Sequence, residues 1–199
     1  MAKSNRLNTI HSLLTQVSFT ADEAKKLGVF PAHLAYYIKK GQIKRLGRGI
    51  YQGIDFQYPL DYFQWEDLIE AVNSVPRGVV CLISALALYD LTEQITRQYW
   101  IAVSHSTSIK ERRLTRIMRF RNMELGKTTI DLGGIQVPIF DRERTIIDSF
   151  RLLSREIAIK ALKMALAKRG KERLDLRKLQ EYAKKLRYNI QPYLMTATT

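Results

Sequence analysis

Cysteine is nearly absent from this sequence. The single Cys81 excludes an internal disulfide and any cysteine-built metal cluster. In an apolar stretch it reads as a small core residue. Histidine is almost as scarce, and His11 and His33 are too isolated to form a metal site. Long apolar runs are missing. The longest, Val79–Leu88, falls far short of the ~20 residues that cross a bilayer. Met1–Asn8 is polar with no apolar segment behind it, so no secretory leader is expected and a cytoplasmic protein is. There is no P-loop, no GxGxxG between a strand and a helix, and no GxSxG elbow. His105 lies among Ser104, Ser106 and Ser108 with no assignable acidic partner, so no catalytic residue is read there. Acidic residues are also in deficit, 19 against 33 basic, for a net charge of +14. Such a surplus points to an anionic partner, most often nucleic acid.

What is present is an ordinary globular composition. The 199 residues are 46% apolar and 26% charged, enough for one or two domains. The charge is unevenly spread. Residues 1–60 carry +6, residues 61–150 carry −1, and residues 151–199 carry +9. Within the neutral middle, Lys110, Arg112, Arg113, Arg116, Arg119 and Arg121 face the lone Glu111. This run reads either as a solvated strand edge, as a second nucleic-acid surface, or as a patch for an acidic partner. Lys184, Lys185 and Arg187 suit the C-terminus of a helix, where the macrodipole favours cations.

The first 55 residues show a definite order of elements. Leu7, Ile10, Leu13 and Leu14 predict a helix over 5–16. Thr20 with Glu23 three residues later makes a capping box for a second helix, Ala21–Leu27, closed by Gly28. Pro31 opens a third helix that stops at Gly41. Two alternating runs then flank Gly47-Arg48-Gly49 over 43–51, predicting a hairpin. Helix, capped helix, short turn, helix and hairpin is the order of a winged helix-turn-helix. Ala24, Leu27, Leu34 and Ile38 are its expected core. Its third helix offers Ala32, His33, Tyr36, Lys39 and Lys40 to a major groove, and its wing carries Lys44, Arg45 and Arg48 to the DNA backbone. Thr20 completes this set of candidate DNA-binding residues.

A boundary is expected near 53–59, giving a head over 1–55 and a second domain over 60–199. The second domain reads as mixed α/β. Helices are expected over 62–73, with Phe63, Leu68, Ile69 and Val72 inward, and over 79–91. Strands are expected over 98–104 and 116–122, and a hairpin over 128–140 about Gly133-Gly134. Helices over 142–153, 155–168 and 175–186 follow, with a frayed tail from Gln191. The fold class is α+β. Arg144 and Asp148, four apart on one helical face, read as a structural ion pair.

Two sets of segments resemble the AbiEi family, the antitoxin and transcriptional-regulator half of bacterial type IV toxin–antitoxin pairs. One runs from Phe19-Thr20-Ala21-Asp22-Glu23-Ala24 through Leu34 to Leu46-Gly47-Arg48-Gly49-Ile50-Tyr51. The other is Ser84-Ala85-Leu86-Ala87-Leu88-Tyr89-Asp90-Leu91 with Glu143-Arg144-Thr145-Ile146-Ile147-Asp148. The resemblance implies a winged domain that binds an inverted-repeat operator on double-stranded DNA, with self-association on that DNA. It also implies a C-terminal domain that counters a nucleotidyltransferase-like toxin. From the residues themselves, no enzyme activity, cofactor, metal site or membrane association is expected. The third helix departs from the family by opening with Phe30-Pro31-Ala32-His33 where a Ser cap and arginines are usual. Ala32 is then a candidate for a thymine methyl, and His33 for a base or a phosphate.

Two other classes of function fit the charge pattern. One is a DNA-binding head joined to a nuclease, whose acids would be among Asp131, Asp141, Glu143 and Asp148. These do not form a D…(D/E)-x-K pattern, because Arg144-Thr145 follows Glu143. The other is a purely protein-binding inhibitor with a basic surface.

Overall fold

The computed structural model describes residues 7–47, 49–58, 60–95, 97–110 and 114–197. The expectations at Arg48, Arg112, Arg113 and the first six residues lie outside the described residues. The chain divides into two compact units, 1–78 with 131–136, and 79–130 with 137–199. The architecture is α+β, with a three-stranded sheet in the first unit and a five-stranded sheet formed by later strands.

The first unit begins with a 3₁₀ turn, Asn8–Ile10, that leads into helix α1, His11–Leu14. Ser18-Phe19-Thr20, expected only to break the helical pattern, contains a strand, β1 (Phe19–Thr20). It is followed by α2 (Ala21–Lys26), α3 (Pro31–Lys39), β2 (Ile43–Gly47) and β3 (Ile50–Gly53). β3 lies between β1 and β2, and both pairings are antiparallel. The strand ladder therefore ties the wing back to the segment ahead of α2. Gly53 is needed at the end of β3, because a Cβ there would lie 2.6 Å from the Leu14 carbonyl oxygen.

The head core is Ile10, Leu13, Phe19, Ala24, Val29, Leu34, Tyr37, Ile43 and Tyr51. Ala24 and Leu34 are buried as expected, but Leu27 and Ile38 are exposed. α2 ends at Lys26, so Leu27 sits at its C-cap and turns away, and Val29 from the turn fills the space instead. On α3 the inward pair is Leu34 with Tyr37, three apart, which leaves Ile38 on the shoulder.

A 3₁₀ segment, Leu60–Trp65, and helix α4, Glu66–Asn73, follow in this unit. Leu68, Ile69 and Val72 are buried, whereas Phe63, expected inward, is exposed. The 3₁₀ geometry of that segment breaks the 3.6-residue register on which its inward placement rested. α4 packs beside β2, and Ser18 Oγ donates to Asn73 Oδ1 at 3.2 Å.

The later strands are β4 (Val79–Val80), β5 (Tyr99–Ser104), β6 (Thr115–Phe120), β7 (Lys127–Leu132) and β8 (Ile135–Phe140), in the order β6-β5-β4-β8-β7. The helix expected over 79–91 is instead β4 followed by α5 (Leu82–Leu88). The two valines fit a central strand buried on both faces, and a short apolar run does not distinguish strand from helix by its period. β4 runs antiparallel to β5 and parallel to β8, and β5 and β6 are parallel in register from Tyr99–Thr115 to Ser104–Phe120.

Helices α6 (Arg142–Leu152), α7 (Arg155–Ala167) and α8 (Leu176–Lys185) follow, each capped by an acid or a serine at its N-terminus: Asp141, Ser154 and Asp175. The tail expected to fray from Gln191 is helical through Ala197. It forms α9 (Gln191–Ala197), held by buried Ile190 and Leu194 and by Tyr193, whose ring lies 4.6 Å from that of Phe150. α6 is the central helix of the unit and packs against α5, α7 and α8.

Candidate nucleic-acid interface

The head presents its candidate site on three pieces of local structure. The first is the capping box ahead of α2. The Glu23 N–H donates to Thr20 Oγ1 at 3.2 Å, and the Thr20 N–H donates to Glu23 Oε2 at 2.6 Å. The box closes the α2 N-terminus and sets the angle at which α2 leaves β1. Thr20 is half-buried, and its hydroxyl also donates to Glu23 Oε2.

The second piece is the outer face of α3. Ala32, Tyr36, Lys39 and Lys40 are exposed, and His33 is half-buried. Phe30, expected to be part of the turn, stands half exposed at the N-cap of α3. His33 Nδ1 accepts the Phe30 N–H at 3.1 Å, and the two rings lie 6.1 Å apart. The imidazole thus closes the start of α3 from the N3 position. Tyr36 meets Tyr37 edge to face at 5.5 Å, and Lys40 Nζ lies 5.8 Å from the Tyr36 ring. Ala35 is exposed on the same face and is absent from the sequence-derived set. Its signal is its spacing, three residues after Ala32.

The third piece is the wing. Lys44 and Arg45 are exposed on β2, opposite Gln52 and Tyr51 of β3. Arg45 Nε donates to the Gly47 carbonyl at 3.0 Å, which folds the guanidinium over the bulge between Arg45 and Gly47. Gly49, at φ +75°, takes a left-handed turn conformation that favours glycine. Cations on β2 and α3 belong to one unit, so the head carries its positive charge on the elements that a winged motif turns to DNA.

The second basic run lies on and around β6, the edge of the five-stranded sheet. Lys110, Arg116, Arg119 and Arg121 are exposed, and no described carboxylate pairs with them. The Arg116 guanidinium stacks 4.1 Å from the Trp100 ring, and Arg119 donates to the Ile109 carbonyl at 3.2 Å. Charged residues on a sheet edge also block pairing with a foreign strand.

The acids that a nuclease reading would use have other work. Asp131 accepts from the Gly134 N–H and from Gln136 within its own hairpin. Asp141 caps α6, accepting the Arg144 N–H at 2.8 Å, and pairs with Lys178 at 3.0 Å. Glu143, buried, accepts the Asp175 N–H at 2.9 Å and also faces Lys178. Asp148 is buried between Arg144 and Arg151, each at 2.6 Å. Burial pushes its carboxyl above the ordinary value, and the two guanidinium groups pull it back. Arg144 and Asp148 are thus the structural ion pair expected of their spacing. Cys81 is fully buried, and burial pushes its thiol well up, so it behaves as a core residue. Among the described residues, no group of three or more His, Cys, Asp or Glu is placed to hold a metal, and no helix is long and apolar enough to cross a membrane.

Residues 15–52 match the model of a family described as transcriptional regulator, AbiEi antitoxin. The matched segment spans β1, α2, α3 and the wing, so the similarity falls on the head alone. It stops short of the Ser84–Leu91 and Glu143–Asp148 segments that carry the second resemblance. No curated protein matches the chain.

Proposed function

We propose that the protein is a non-enzymatic, cytoplasmic antitoxin that represses its own toxin–antitoxin operon through the winged head. In this reading the domain over 60–199 neutralises a nucleotidyltransferase-like toxin. Thr20, Ala32, His33, Tyr36, Lys39, Lys40, Lys44, Arg45 and Arg48 form the DNA-binding set. Lys110, Arg112, Arg113, Arg116, Arg119 and Arg121 form a second basic surface. The observation that carries the reading is the family match over 15–52, falling on a head whose outward helix and hairpin are basic.

The mechanism follows from the size of the contact. One short helix in a major groove makes few base contacts, and most affinity then comes from lysines and arginines on phosphates. Two copies on an inverted repeat double both contributions, with half-sites about one helical turn apart or a multiple of it. Repression follows when that pair covers the promoter.

Gel-shift on the DNA upstream of the protein's own operon tests the regulator reading. A complex that resists scrambled competitor is expected, and equal competition by scrambled DNA would sink it. Co-expression with a nucleotidyltransferase-like toxin, sought in the gene adjoining its own, tests the antitoxin half. Growth should be restored by the full chain and by residues 59–199, and continued arrest with both would overturn that half.

A further inference from the structure

The outward face of α3 is a single helical stripe. Ala32, Ala35, Tyr36 and Lys39 stand at i, i+3, i+4 and i+7, and all four are exposed. Leu34 and Tyr37, between them, point into the core. From its N-terminal end the stripe carries two alanine methyls and a phenol ring. Across Pro31–Lys39 there is no Arg, Asn, Gln, Asp or Glu, so the residues that pair bidentately with adenine or accept from cytosine are missing from the helix, and Lys39, which could reach guanine, stands at its last position, far from the helix start. His33, the polar side chain of the first turn, has its Nδ1 committed to the Phe30 N–H. Phe30 extends the apolar surface at the helix start, with about half its area exposed.

The chemistry of the groove selects the partner of such a face. Each base pair offers hydrogen-bonding groups in the major groove, and thymine alone adds an apolar one, the C5 methyl. Residues near the start of a recognition helix are those that meet base edges. Ala32 and Ala35 are three residues apart, about 4.5 Å along the helix axis, comparable to a base step of about 3.4 Å. Tyr36 is held by its edge contact with Tyr37 and by Lys40 beside its ring, so it offers a fixed surface rather than a mobile one. Lys39 and Lys40 supply point charges for phosphates.

Building on the regulator reading, we infer that the head reads its DNA through thymine C5 methyls. Ala32 and Ala35 contact methyls on neighbouring base pairs, and Tyr36 contacts a third. Ala35 is then a specificity residue of the same standing as Ala32.

The test uses the full chain and random-sequence duplexes. Bound duplexes are selected, sequenced, and resynthesised with deoxyuridine for deoxythymidine, which removes the methyl and keeps the base pairing. Thymine should be enriched at fixed positions. Each contacted methyl lost should weaken binding about four-fold, the equivalent of one buried methylene. Replacing guanine by 7-deazaguanine should leave affinity unchanged. Because these changes are made in the DNA, folding of the protein does not enter. On the protein side, Ala35→Ser should shrink the uracil penalty by one methyl's worth while retaining phosphate-driven affinity. Sequence-selective binding that ignores uracil, or that falls with 7-deazaguanine, overturns the inference and leaves the regulator reading standing. Selection that enriches no sequence overturns both.

Discussion

Arg144 is the residue on which the second unit turns. Its side chain is 1% exposed, yet every arm of the guanidinium has a partner. Nε donates to Asp148 at 2.6 Å, and the two terminal nitrogens donate to the carbonyls of Leu125 and Asn122. The rings of Phe120 and Phe140 stack on each other and lie within 5.5 Å and 4.8 Å of it. Gly126 is needed beside it, since a Cβ there would come within 2.6 Å of the Arg144 Cβ. Removing one partner of such a pair strands a buried charge. Arg144→Ala should cost about 3–5 kcal/mol in urea unfolding. Arg144→Lys should recover little, because one ammonium cannot reach a carboxylate and two carbonyls held by a planar fork. Thr20 is a smaller case of the same kind. Thr20→Ala should cost about 1 kcal/mol by loss of the capping box, and Thr20→Ser should restore most of it.

At the scale of elements, α8 is fastened to α6 by charge. Lys178 lies between Asp141 and Glu143, and Tyr182 donates to Asp141 at 3.1 Å. Burial pulls the Lys178 ammonium down, but its hydrogen bond and charge interactions with Asp141, and then Glu143, push it up to about 12. Burial and Asp141 also raise the Tyr182 phenol, and burial raises that of Tyr89. A lysine with a raised folded value stabilises the fold while it is charged. That contribution is complete below about 10.5 and is lost as pH rises towards 12. The phenols act with the same sign, because the unfolded chain releases their protons first. Urea midpoints should therefore fall steadily from about pH 10 upwards. Lys178→Met should flatten that fall.

The wing and β6 make a contrasting pair of basic elements. Lys44→Ala with Arg45→Ala should flatten log affinity against log salt by about 0.9 for each phosphate contact removed. The same measurement on Arg116→Ala with Arg119→Ala separates a second DNA surface from a charged sheet edge. An unchanged slope there overturns the second DNA surface.

For the whole molecule, the grouping of α4 with the head matters. The compact unit reaches Gly78, and Ser18 reaches Asn73 across it. We expect residues 1–58 to keep sequence preference with reduced affinity, as one short helix must. Residues 1–78 should also unfold at higher urea than 1–58, because α4 covers β2. Paired urea titrations of the two fragments check this, and equal midpoints would show α4 to be dispensable to the head.

Much of the head is legible in the amino-acid sequence alone, because its signals are local. Thr20 and Glu23 announce a helix start three residues apart, glycines bracket the wing, and the 3.6 period picks out Leu34. The candidate surface follows from the same period, apart from Ala35, whose signal is its place three residues after Ala32. The pair Arg144–Asp148 is legible too, since residues four apart share a helical face. What only the tertiary structure decided depends on partners far along the chain. Val79-Val80 became a strand because β5 and β8 lie on either side of it, and Phe19-Thr20 became one because β3 offers an edge about thirty residues later. Tyr37 took the core in place of Ile38 because the space under α3 is set by Val29 and Ile43, not by α3 itself. Gln191–Ala197 formed a helix because Phe150 gave Tyr193 a ring to pack on. Periods and caps act within a few residues and are written in the sequence. Pairing and burial belong to surfaces that exist only once the chain has closed on itself.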